Sequence, residues 1–196
     1  MKIGVLALQG AFREHIEVLG RLGAHAVEVR LPEQMGDISG LVIPGGESTA
    51  IVKLMQHYRL VEPLRELARS GLPVLGTCAG LIVMAKNLTT NNFETLSLMD
   101  MTVARNAFGR QVDSFETEID VPVLGKTPFK AVFIRAPIIE KVAPRVEVLA
   151  RLANGTIVAA RQGKMVVTAF HPELADDPRF HRYFLDIVKG KPASRP

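Results

Sequence analysis

The sequence predicts an α/β fold: a three-layer α/β/α sandwich with a mostly parallel central sheet, plus a C-terminal antiparallel β meander. In the first half of the chain, short continuously apolar segments alternate with segments whose apolar residues recur at helical spacing. That alternation marks β-α-β units whose strands are covered on both faces. The second half carries hairpin signals instead, above all Asn154–Gly155 between two alternating stretches. At 196 residues, with 47% hydrophobic and 22% charged residues, the chain is expected to form one domain over residues 1–196 with a full core.

The elements follow in order. Lys2 to Leu8 reads as a buried strand closed by Gln9–Gly10, and Phe12, Ile16, Leu19 and Leu22 then fall on one helical face, with Gly23 as the C-cap. His25 to Leu31 alternates like a strand, and Gly40 to Ile43 is a short buried one that runs into Pro44–Gly45–Gly46–Glu47–Ser48. Helical patterns cover Ala50 to His57 and Val61 to Ala68. The apolar pair Val74–Leu75 then ends in Gly76–Thr77–Cys78–Ala79–Gly80, after which Leu81, Ile82, Met84 and Ala85 continue as a helix. Beyond Asn87 the pattern weakens: Thr89 to Asn92 is a polar loop, Val112 to Val121 alternates, and Val132 to Ile134 is a brief apolar run. The meander is expected as Val146 to Leu152, Thr156 to Arg161 and Met165 to Phe170, followed by a last helix carrying Phe180, Phe184, Ile187 and Val188.

Composition excludes several classes. The net charge of +4 is small and the basic residues are scattered, so neither nucleic acid nor a membrane surface is implied. No apolar run approaches the roughly 18 residues needed to span a bilayer. A single cysteine excludes an internal disulfide, and Met1 leads straight into a strand, which together place the expectation in the cytoplasm.

Three stretches carry chemistry. In Gly76-Thr-Cys78-Ala-Gly80, the only cysteine stands between a strand and a helix with a glycine two residues to either side. Small neighbours tolerate the strained backbone of a nucleophile elbow, and the helix N-terminus favours a thiolate. The plain alternative is a buried structural cysteine. In His171-Pro172-Glu173, proline biases the histidine toward an extended conformation in which positions i and i+2 project to one side, so that a carboxylate orients an imidazole base. In Pro44–Ser48, glycines after a strand free backbone N–H groups for an anion; Gly46 and Ala79 are the expected oxyanion donors. Taken alone, that turn needs no function beyond helix capping by Glu47 and Ser48. His15, His25, His57 and His181 lie at no ligand spacing, so they read as solvated or core-edge residues, and no metal or other cofactor is expected.

Together these stretches resemble the class I glutamine amidotransferases. Val5–Gly10, Pro44–Thr49, Gly76–Gly80, Arg105–Phe115, Phe133–Pro137 and Phe170–Leu174 narrow the resemblance to the family of glutaminase subunits of pyridoxal 5'-phosphate synthases, over nearly the whole chain. The resemblance implies a Cys78–His171–Glu173 triad that hydrolyses L-glutamine through a γ-glutamyl thioester. It also implies an oxyanion hole of Gly46, Ala79 and Gly10, and glutamine contacts from Gly46, Glu47, Ser48, Arg105, Ile134 and Arg135. The implied partner is a synthase subunit, a TIM barrel required for activity, which combines the ammonia with ribose 5-phosphate and glyceraldehyde 3-phosphate. The Gln9–Gly10 peptide is the expected moving part when the partner docks, with the first helix as a docking surface. A β-branched residue at position 10 is expected to leave the fold intact.

Rival readings are a glutaminase serving another pathway, a cysteine peptidase or chaperone of related fold, and a non-catalytic scaffold. The Arg105–Phe115 block opposes the first. The long separation of His171 from Cys78 opposes the second, and an intact set of Cys78, His171 and Glu173 opposes the third.

Overall fold

The computed structural model describes residues 1–89, 93–105 and 114–191. It is built on one large sheet whose strands are β1 (Lys2–Leu6), β2 (His25–Val29), β3 (Gly40–Ile43), β4 (Val74–Thr77), β5 (Ala85–Leu88), β6 (Met99–Ala104), β9 (Ile138–Val142), β10 (Glu147–Arg151), β11 (Ile157–Gln162) and β12 (Met165–Thr168). A separate antiparallel pair is formed by β7 (Ser114–Ile119) and β8 (Phe129–Ile134). The helices are α1 (Phe12–Arg21), α2 (Ser48–His57), α3 (Val61–Arg69), α4 (Ala79–Met84) and α5 (Arg179–Val188).

The sheet runs β2-β1-β3-β4-β12-β11-β9-β6-β5, with β10 paired to β11 off this path. The pairs from β2 to β12 are parallel, and every buried position of β3, β4 and β12 is apolar or a threonine or glycine, as strands covered on both faces require. From β1 the chain first steps outward to β2 and then back across to β3 and β4. Right-handed crossovers therefore put α1 on one face and α2 and α3 on the other. The reversal point lies between β1 and β3, and in such sheets the crevice beyond the strand ends there is the usual site.

The expected meander is present, but it is not a separate appendage. β11 pairs antiparallel with both β10 and β12, while β12 also lies parallel to β4 in the middle of the sheet, pairing Val167 with Gly76 and Thr168 with Thr77. A hairpin signal specifies the turn and says nothing of the outer neighbour. The consequence is that the strand leading to His171 lies beside the strand leading to Cys78. β5, β6 and β9 were not foreseen in the sequence, where short half-buried strands alternate too weakly; the stretch expected as a strand from Val112 begins at Ser114 among the described residues.

An aromatic cluster joins the small sheet to the large one. Phe129, Phe133, Phe170, Phe180 and Phe184 are all fully buried, and Phe170 meets Phe129, Phe133 and Phe180 with ring centroids 5.2–5.7 Å apart in tilted or edge-on contacts. His171 N–H also donates to Val132 O at 2.8 Å. The segment after β12 is thereby pinned to β8. Among the described residues, no helix is long and apolar enough to cross a membrane.

Candidate active site

Cys78 sits between β4 and α4 with φ 49° and ψ −100°, a conformation that is costly for any residue with a Cβ. The surroundings hold it there. Its N–H donates to Thr168 O at 2.8 Å, and α4, whose six residues are all buried, anchors the other side. Gly80 lets the elbow close, because a Cβ there would stand 2.0 Å from Ile43 O. Ala79 occupies the first turn of α4, where its N–H has no intrahelical acceptor.

His171 and Glu173 meet, though not in the extended conformation expected. Pro172, Glu173 and Leu174 form a 3-10 turn with proline at its first position, where a fixed φ and a missing N–H suit it. The turn brings His171 Nδ1 to 2.7 Å from Glu173 Oε1. Glu173 is a carboxylate, so Nδ1 donates its proton there, which leaves Nε2 as the ring nitrogen that faces the sulfur. The other side of the ring faces the sulfur of Cys78, which lies 3.8 Å from Ile134 O.

The electrostatics follow from this placement. Burial opposes a charge on His171, but the sulfur and the Glu173 carboxylate outweigh it and raise the imidazole to about 10. Burial likewise works to raise Glu173, but the His171 imidazolium and the hydrogen bond it donates turn the balance, so that the carboxyl lies below the ordinary range. The arrangement can take a proton from a thiol and hold the resulting imidazolium against an anion.

Cys78 and His171 open onto a cleft of about 270 Å³. Its lining includes Gly46, Glu47, Ser48, Ala79, Arg105, Ile134 and Arg135, all expected from the sequence. The carboxylate of Glu47 caps α2 by accepting from Thr49 and Ala50 N–H at 3.1 and 2.7 Å, and it pairs with Arg105 at 3.1 Å. Burial works to raise its carboxyl, but the Ala50 and Thr49 N–H donors and then Arg105 together outweigh it and hold the carboxyl below the ordinary range. Ser48 Oγ is buried with no hydrogen-bond partner among the described residues. Arg135 adopts φ 42° and forms no ion pair among them. The rest of the Arg105–Phe115 block, residues 106–113, lies outside the described residues.

Two lining residues were not expected as such. Gln9 Oε1 accepts from Glu47 N–H at 2.7 Å, so the side chain and not only the peptide is part of the wall. Ile82 contributes an apolar patch from α4.

Gly10 lies behind the cleft and is not among its lining residues. Its φ is +95°, and a Cβ would stand 1.8 Å from Gly45 O, the same oxygen that accepts from Ala11 N–H at 3.0 Å. A β-branched residue at position 10 would therefore strike backbone, contrary to the expectation that the fold would not notice it. Gly45 is equally constrained, since a Cβ there would stand 2.3 Å from His171 Cε1.

The reading of four histidines as solvated or core-edge holds for His25 and His57, which are exposed, and fails for two others. His15 and His181 are fully buried and lie 2.9 Å apart, Nδ1 to Nε2, directly behind Glu173. They come from opposite ends of the chain, so no local spacing announced them. Among the described residues there is no cluster of His, Cys, Asp or Glu able to hold a metal.

Comparison with known proteins places this geometry in context. Residues 5–189 match the family described as the SNO glutamine amidotransferase family. The pyridoxal 5'-phosphate synthase subunit PdxT of Dehalococcoides mccartyi is 59% identical over 191 residues, covering 96% of this chain and 98% of that protein. The subunit of the same name from Pelotomaculum thermopropionicum is 60% identical over 186 residues, covering 95% and 94%. A crystal structure of a glutamine amidotransferase superimposes with a TM-score of 0.90 at 48% identity, covering 95% of this chain and 98% of that one.

Proposed function

The chain belongs to the SNO glutamine amidotransferase family, and from that premise we propose that it is the glutaminase subunit of a pyridoxal 5'-phosphate synthase, releasing ammonia from L-glutamine for vitamin B6 synthesis. The observation that carries the reading is that Cys78 and His171 line one cleft with Glu173 buried behind the histidine, just past the ends of β4 and β12, which are immediate neighbours.

In the proposed reaction the Cys78 thiol gives its proton to His171 Nε2, and the sulfur attacks the side-chain amide carbon of glutamine. Negative charge then develops on the amide oxygen, and Ala79 N–H at the start of α4, with Gly46 N–H across the cleft, is suited to meet it. Collapse of the tetrahedral intermediate breaks the C–N bond, and the imidazolium returns its proton to the departing nitrogen, giving ammonia and a γ-glutamyl thioester. Water, deprotonated by the same His171, attacks the thioester; glutamate leaves and the thiol is restored. Glu173 keeps Nδ1 protonated throughout and stabilises the imidazolium at each proton transfer.

Glutamine brings an ammonium and a carboxylate of its own. Glu47 with the Ser48 hydroxyl offers acceptors, and Arg105 and Arg135 offer donors, with Ile134 and Ile82 covering the methylenes. The ammonia is taken up by the synthase subunit, a TIM-barrel protein, for condensation with ribose 5-phosphate and glyceraldehyde 3-phosphate. Docking of that partner activates the site, and α1, which starts beside the Gly10–Gly45 contact, is the surface proposed to sense it.

Glutamate release measured with and without the synthase subunit tests the reading. Turnover is expected in the mixture and none in Cys78→Ala; turnover that survives Cys78→Ala overturns the assignment of the nucleophile.

A further inference from the structure

Behind the site lies a buried polar chain that the proposed chemistry does not use. Glu173 turns Oε1 to His171, while Oε2 is buried and receives no well-directed hydrogen bond. His15 Nε2, on α1, stands 3.3 Å from that second oxygen and 3.1 Å from Thr77 Oγ1, on the residue just before Cys78. His15 Nδ1 is in turn 2.9 Å from His181 Nε2, on α5. Four elements thus contribute one side chain each: α1, α5, β4 and the 3-10 turn. All four groups have at most 5% exposure.

Two sets of tautomers fit the contacts to Thr77 and His181, and only one of them also turns an N–H toward the Glu173 carboxylate. A proton on His15 Nε2 points between Thr77 Oγ1 and Glu173 Oε2, which leaves Nδ1 as the acceptor of the His181 Nε2 proton. His181 Nδ1 is then a bare lone pair, in keeping with its having no partner among the described residues. Burial pulls both histidines below the ordinary range, His181 to about 3, so both are neutral at pH 7. The neutrality matters. A cation behind Glu173 would compete with His171 for the carboxylate's charge, whereas a neutral N–H fixes the oxygen's position and leaves that charge facing the imidazolium. Leucine would fill the same space at lower desolvation cost, so packing alone gives no reason for a histidine pair here.

We propose that His15 is a positioning residue: with its tautomer set by His181, it holds the second oxygen of Glu173, and so fixes the plane in which Glu173 orients His171 toward Cys78. The proposal rests on the glutaminase reading for its rate consequences but not for its effect on the sulfur. Because His15 belongs to α1, it also ties the triad carboxylate to the helix that starts at the Gly10–Gly45 contact.

The test compares wild type, His15→Leu and His15→Gln, the last of which returns an N–H near the Nε2 position. In the presence of the synthase subunit, His15→Leu should lose about tenfold in kcat, a fraction of the ~10²–10⁴ that acid–base catalysis supplies. KM for glutamine should stay within about twofold, because His15 is not in the cleft, and His15→Gln should regain most of the kcat. A second arm needs neither partner nor glutamine: alkylation of Cys78 by iodoacetamide at pH 7 should slow several-fold in His15→Leu and recover in His15→Gln. A His15→Leu kcat within twofold of wild type overturns the proposal. So does equal loss in both variants in step with a lowered melting temperature, which is the signature of packing alone. If wild type releases no glutamate even with the partner, it is the glutaminase reading that has failed. The alkylation arm then decides on His15 by itself, equal rates in all three proteins counting against it.

Discussion

Replacing Glu173 by glutamine changes one atom's chemistry and leaves the volume alone. In the wild type, Oε1 of the fully buried Glu173 side chain accepts the His171 Nδ1 proton at 2.7 Å. A hydrogen bond to a charged group contributes about 1.5–3 kcal/mol, and at 1.36 kcal/mol per tenfold its loss alone lowers the rate roughly 10- to 150-fold. The amide adds a second effect. If its NH₂ faces Nδ1, the imidazole must accept there and carry its proton on Nε2, toward the sulfur, where a base is needed; the same tautomer inversion costs about 10⁴ in serine hydrolases. Rotating the amide to present its oxygen to His171 would turn the NH₂ toward His15 Nε2, 3.3 Å behind, whose own proton points the same way. His15 thus disfavours the one rotation that would rescue the variant. We expect kcat for glutamate release by the partnered complex to fall by between about 10² and 10⁴, with KM little changed and the fold intact by circular dichroism. Glu173→Ala, which leaves His171 free to choose its tautomer, should lose less. The reasoning is refuted if Glu173→Gln retains kcat within threefold, or if Glu173→Ala proves the worse of the two.

Other consequences concern stability and space. His181 is held neutral with its imidazole pulled down to about 3, below the ordinary 6.5, so its contribution is present above pH 6.5 and is lost as pH falls from 6.5 toward 3. At about 1.4 kcal/mol per pH unit for one proton, wild type should lose roughly 2 kcal/mol more than His181→Leu between pH 6.5 and 5. Urea midpoints at the two pH values measure this, and equal falls in both proteins contradict it. Gly80→Ala places a Cβ 2.0 Å from backbone at Ile43, and Gly45→Ala places one 2.3 Å from the His171 ring. The first should cost at least about 1–3 kcal/mol in stability, read as a lowered urea midpoint. The second should chiefly lower kcat, and a Gly45→Ala protein with wild-type turnover would show that His171 is not confined as described.

Much of the site was legible because its parts are local patterns. The elbow at Cys78, the turn at Gly45–Gly46 and the His171–Glu173 pair each span a few residues, and each follows a strand, so an α/β reading alone carries them to one edge of the sheet. What stayed hidden is what depends on distant segments. His15 and His181 are 166 positions apart, and nothing near either distinguishes a fully buried histidine from a solvated one. The place of β12 between β4 and β11 was hidden for the same reason, since alternation specifies a strand but not its neighbours. Gly10 was legible as a glycine that matters, while its contact with Gly45 O joins two segments that are distant in sequence. The 3-10 turn at Pro172 replaced the extended segment because proline at a first helical position also satisfies its fixed φ, and sequence does not choose between the two.

Covalent labelling asks whether Cys78 is a nucleophile addressed to glutamine. The chain is incubated with a glutamine-mimicking electrophile, with and without the synthase subunit, and the adduct is located by mass spectrometry. A single adduct is expected, on Cys78, formed faster with the partner present, slowed by free L-glutamine and absent from His171→Ala. An adduct elsewhere, or labelling of Cys78 that free glutamine does not slow, would contradict it.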